Sequence, residues 1–125
     1  MAKLIEKLAA YVAGEETALI AATDELATKV LTPDQKIRYA ARIAARAEQV
    51  LHLRTMVTNF TKAAQLKADL TTMAQALIAS GKTWENEAWN AWQTKTMEHR
   101  MECLGNKDAC EDVGSALGKI VGLWK

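Results

Sequence analysis

A single proline stands among the 125 residues, and Pro33 sits where a helix would begin. Thr32 before it is a capping residue, Pro33 suits the first helical position, and Gln35 completes a capping box. The chain on either side keeps a helical period. Leu4, Leu8, Tyr11, Val12, Leu19, Leu26 and Val30 fall on one stripe at 100° per residue, predicting a first helix over Ala2 to Leu31. From Pro33 onward, Ile37, Ala40, Ile43, Ala44, Ala47, Val50 and Leu51 form the next apolar arc. These two helices should make a hairpin with a very short turn. No segment alternates apolar and polar residues with β-branched enrichment, and none carries a hairpin signal.

The expected fold is therefore all-α: an antiparallel four- or five-helix bundle with a short C-terminal helix, residues 1–125 forming one domain. The length suits one substantial core. Sixteen basic residues against fifteen acidic argue against a nucleic-acid surface, which shows as a basic excess, and against disorder. No apolar run is long enough to cross a membrane, and Glu6 and Lys7 interrupt what would be the core of a signal peptide.

Two polar features sit oddly on these helices. Glu15 projects near the centre of the first apolar stripe, so it either reaches water through a turn loosened at Gly14 or pairs inside. Arg38, Arg42 and Arg46 line up four apart, opposite the second arc. The row matches a phosphate-contacting ladder, but in a chain of neutral charge a solvated face with acidic neighbours is the simpler expectation. His52 shares this polar side.

Further boundaries follow from turn chemistry. Thr58-Asn59-Phe60-Thr61 favours a bend or break, although Leu53, Phe60, Ala63, Leu66, Leu70, Met73 and Leu77 keep the helical spacing across it. Asn59-Phe60-Thr61 also fits a glycosylation pattern, which carries little weight alone. Ser80-Gly81-Lys82-Thr83 reads as a boundary, with Gly81 ending one helix and Thr83 capping the next. That next helix should run to Leu104 and stop at Gly105-Asn106. A short last helix is expected from Ala109 to Leu123.

The unusual chemistry is concentrated between Thr83 and Cys110. On one continuous helix Trp84, Ala88, Trp92, His99 and Cys103 would share a face with Trp89 at its edge. Such a face is either a core anchored by tryptophans, with His99 bonded to a carboxylate, or the wall of a ligand or partner site. The candidate binding residues are accordingly Trp84, Trp89, Trp92 and His99. His99, Cys103 and Cys110 lack a fourth zinc ligand, and no oxyanion loop accompanies a Cys–His pair, so no metal or catalytic residue is assigned. Cys103 and Cys110 bracket the expected junction closely enough for a disulfide. A disulfide points to a secreted, periplasmic or cell-surface setting, with the cytoplasm as the alternative.

Signatures of the common enzyme classes are absent, and no cofactor is implied. The expected function is non-enzymatic: a helical binding or assembly module presenting helix faces to a protein partner or to itself. One alternative is a small-ligand, haem or metal carrier with a Trp-lined pocket and His99 as polar anchor. Another is membrane-surface activity through the amphipathic segment Val113 to Trp124, although docking of that segment on the bundle explains its pattern equally well.

Overall fold

The computed structural model describes residues 3–94 and 96–123, and all of their side chains except those of 91–94. Four α-helices pack together: α1 (Leu4–Thr28), α2 (Pro33–Thr58), α3 (Ala63–Thr94) and α4 (Met97–Val121). The capping box at Thr32 is formed. Thr32 Oγ1 accepts from the Gln35 amide at 3.2 Å, and Gln35 Oε1 accepts from the Thr32 amide at 3.0 Å. The expected break near Asn59 is also present. Thr55 and Thr58 donate their hydroxyls back to the Leu51 and Arg54 carbonyls, and the chain leaves the helix at Asn59. α1 ends earlier than its stripe suggested, and Val30 is 98 % exposed beyond it.

Two expected boundaries are not boundaries. α3 runs unbroken through Gly81, and α4 runs unbroken through Gly105, so the short C-terminal helix is the second half of α4. Both glycines are buried at helix contacts. A Cβ built on Gly81 would meet Cys110 and Glu111 of α4 at 3.6 and 3.4 Å. One built on Gly105 would stand 2.3 Å from the Arg38 carbonyl oxygen and 2.7 Å from the Ala41 Cβ. Glycine here lets two helices approach; it does not end one. The break falls instead inside the expected tryptophan helix. Thr96 caps α4, its Oγ1 accepting from the His99 amide at 3.2 Å.

The continuous α4 overturns the expected disulfide. Cys103 and Cys110 lie two turns apart on one helix, about 10 Å along its axis, whereas a disulfide needs Cα atoms within about 7 Å. Both thiols are free and buried. The inference of an oxidising compartment loses its basis with the bond.

The directions of the helices follow from cross-helix pairs. Tyr39 bonds to Glu25, and Arg46 to Glu15, so α2 runs back along α1. His99 meets Glu87, and Gly114 lies against Ile78, so α4 runs back along α3. Arg38 pairs with Asp108 and Arg42 with Asp112, so α2 and α4 lie side by side in the same direction.

The core gathers at one end, where all four helices contribute: Leu8 and Val12, Val50 and Leu53, Leu66, Leu70 and Ala74, Val113 and Leu117. Burial of a leucine or valine is worth about 1.5–3 kcal/mol. Val113 and Leu117 are fully buried, so the C-terminal amphipathic segment docks on the bundle. Trp124 lies outside the described residues.

Candidate functional site

The break at Thr96 folds the expected tryptophan helix into a hairpin, and its chemistry is divided between two helices. Trp84, Glu87, Ala88 and Trp89 belong to α3, and His99, Arg100 and Cys103 to α4. Trp84 is half-buried, whereas Trp89 is 68 % exposed. The Trp92 side chain lies outside those described. His99 Nε2 sits 3.0 Å from Glu87 Oε1, which ties the two helices together beside the break. This is the carboxylate partner that the sequence left unidentified.

Cys103 Sγ lies 3.6 Å from the same nitrogen, His99 Nε2. A base that activates a thiol must take its proton on one ring nitrogen while the other is held by an orienting group. Here thiol and carboxylate compete for one nitrogen. Burial, and then the charges of Glu87 and Glu102, push the Cys103 thiol above its ordinary pKa. It stays protonated and a poor nucleophile. Among the described residues no three His, Cys, Asp or Glu side chains converge on a point that could hold a metal.

What the hairpin does build is a cleft. Glu85, Ala88 and Trp89 of α3 face Arg100, Leu104 and Lys107 of α4 across a volume of about 240 Å³. Lys107 Nζ is held by Glu111 at 3.0 Å and lies 3.9 Å from Glu85. Arg100 is buried, its Nη2 2.6 Å from Met97 Sδ. Trp89 thus lines a cleft together with apolar Ala88 and Leu104, half-exposed Glu85, paired Lys107 and the buried Arg100. A tryptophan so placed can cover a partner side chain.

The arginine row occupies a different site. Arg38 grips Asp108 at two points, Nε to Oδ2 at 2.8 Å and Nη2 to Oδ1 at 2.9 Å. Arg42 Nε donates to Asp112 Oδ2 at 2.8 Å. Arg46 donates to Glu15 and lies 3.8 Å from Asp112, and Arg54 donates to Glu16. The acidic neighbours come from α1 and α4, so the row is a half-exposed seam between helices. Burial works against the Arg46 charge, but the bond and charge of Glu15 and the charge of Asp112 outweigh it and hold its pKa up. Glu15 thus pairs inside. Tyr11 beside it resists ionisation because it is buried and faces that carboxylate. A signal for the seam existed: Asp108 and Asp112 repeat the four-residue spacing of Arg38 and Arg42.

With the arginines paired to α1 and α4, the far side of α2 faces solvent. Ala40, Ala44 and Ala47 are exposed, Ile37 is half-buried and Leu51 is 66 % exposed. Half of the expected apolar arc of α2 is therefore surface, and His52 is exposed as its position implied. Comparison of the chain with family models, curated proteins and solved structures finds no match.

Proposed function

We propose that this chain is a non-enzymatic helical module that binds or assembles by presenting helix faces to a protein partner. The supporting observation is the exposure of Trp89 above the α3–α4 cleft, on helices tied together by the Glu87–His99 contact. Tryptophan is the side chain most enriched among residues that dominate protein interfaces, and a cleft whose Lys107 is already paired costs little to preorganise.

A cofactor carrier anchored on His99 has less behind it, because His99 Nε2 is engaged by Glu87. Membrane-surface action through the last helix has less still, because Val113 and Leu117 lie in the core. An extracytoplasmic setting has lost the disulfide that suggested it, and the binding role does not depend on it.

The test is site-specific photo-crosslinking in the native cell, with the reactive group at position 89 and, as control, at exposed Gln65 of the same helix. Discrete protein adducts from 89 that are missing from 65 are expected. Identical patterns, or no protein adduct from 89, would sink the assignment.

A further inference from the structure

The outer face of α2 is an exposed apolar surface separate from the Trp89 cleft. Ile37, Ala40, Ala44, Ala47 and Leu51 follow the alternating three- and four-residue spacing of a coiled-coil seam, and every one is exposed or half-buried. The seam covers about 21 Å of helix. α1 extends it: Glu16 reaches Arg54 at the flank of this face, and Ile20, one turn beyond Glu16, is 68 % exposed. Large aliphatic side chains thus lie at several points of the face, with alanines between them that allow a close helix approach.

The opposite flank is a groove of about 470 Å³ between α2 and the start of α4. Ile37, Ala40, Ala41 and Ala44 line one wall, and Glu98, Glu102 and Asn106 line the other. Glu98 and Glu102 are exposed and enter no ion pair among the described residues. Glu48, two turns after Ala41, continues the acidic edge. Gly105 sets the width of the groove by letting α4 come against the α2 backbone beneath it. Cations on the other flank are Arg54, held by Glu16, and Lys36.

We propose that this face docks an amphipathic helix of a partner protein, one with an apolar seam of about four turns and lysines or arginines along the flank that meets Glu98 and Glu102. A second copy of the chain is the poorer occupant. Two copies paired antiparallel about a two-fold axis would put both acidic edges on the same side of the seam. Paired parallel, they would offer Glu98 and Glu102 only Lys36 and an Arg54 that Glu16 already holds. The proposal rests on the reading of the chain as a binding module, but it concerns a different face.

The test uses the full chain and two synthetic helical peptides with the same leucine–alanine seam, one carrying lysines along a single flank and the other glutamates. Binding is followed by fluorescence anisotropy at several salt concentrations. The lysine peptide should bind about tenfold tighter, the scale expected when two exposed attractive pairs replace two repulsive ones, and added salt should erase the difference. Glu98→Lys combined with Glu102→Lys should reverse the preference. Ala44→Glu, on an exposed position, should abolish binding of both peptides while leaving the melting temperature unchanged. Equal binding of both peptides, or binding indifferent to Ala44→Glu, overturns the proposal. So does self-association that Ala44→Glu abolishes in a chain that takes up neither peptide. Trp89→Ala should leave peptide affinity unchanged. Peptide binding without crosslinks from position 89 would therefore remove the cleft assignment alone, and failure of both would remove the binding module itself.

Discussion

The α carbon of Gly105 is pressed against the backbone of Arg38, so closely that a Cβ there would lie 2.3 Å from the Arg38 carbonyl oxygen. The obstacle is backbone in the middle of a helix, which cannot rotate aside as a side-chain tip can. Gly105→Ala should therefore destabilise by about 1–3 kcal/mol through overpacking, despite alanine's advantage of about 1 kcal/mol in a helix. Gly14→Ala should do the reverse. No heavy atom lies within 4 Å of a Cβ built there, and its φ is not positive. A gain of about 0.5–1 kcal/mol is expected. Urea denaturation of the two variants measures both signs, and a stabilising Gly105→Ala would contradict the close crossing.

Thr96→Ala should cost about 1 kcal/mol, because its hydroxyl caps α4. Thr83→Ala should cost less, since Thr83 sits within α3 and its hydroxyl bonds back to the Ala79 carbonyl. Equal losses would restore the boundary at Gly81.

The intact chain should carry two free thiols without reductant, as its mass will show. Burial raises the pKa of both, aided at Cys103 by Glu87 and Glu102 and opposed at Cys110 by the Gln49 hydrogen bond. Reaction with a disulfide reagent near neutral pH should be about 100-fold or more slower in the folded chain than after unfolding. Rapid labelling of either thiol in the folded chain would mean that it is exposed.

Tyr11 is held neutral in the fold by burial first and by Glu15 second. Its folded pKa lies above the unfolded value near 10, so its contribution is intact below that pH. It is lost as pH rises, because the unfolded chain then gives up a proton that the folded chain retains. Tyr11→Phe should flatten the fall in stability between about pH 9 and about pH 11, by at most about 1.4 kcal/mol per pH unit for one proton. An unchanged slope would place the hydroxyl in water.

The cap at Thr32 and the break at Asn59 were readable from the chain, whereas the cap at Thr96 was not. Thr32, Pro33 and Gln35 satisfy one another locally, and the threonines before Asn59 compete with the helix at their own position. Gly81 and Gly105 were not readable, because the pattern that ends a helix also admits a neighbouring one, and only the neighbour decides. The α2 arc was misjudged for a related reason. Alanine tolerates either side of a helix, so Ala40, Ala44 and Ala47 weigh the apolar face without fixing it. What turned α2 was Asp108 and Asp112, seventy residues away on α4. At the candidate site, Trp89 and His99 were identified as residues, but their arrangement depended on the break at Thr96.

The parallel pairing of α2 with α4 has a kinetic consequence. Each hairpin closes through a connection of a few residues, but the Arg38–Asp108 and Arg42–Asp112 contacts close a loop of 70 residues. Loop-closure entropy favours the local pairings, so the hairpins should form first and zip together late. Gly105→Ala would then mark a contact absent from the transition state: in a chevron it should speed unfolding and leave the refolding rate nearly unchanged. A slowed refolding limb would mean that the glycine crossing belongs to the folding nucleus, and that the hairpins never exist apart.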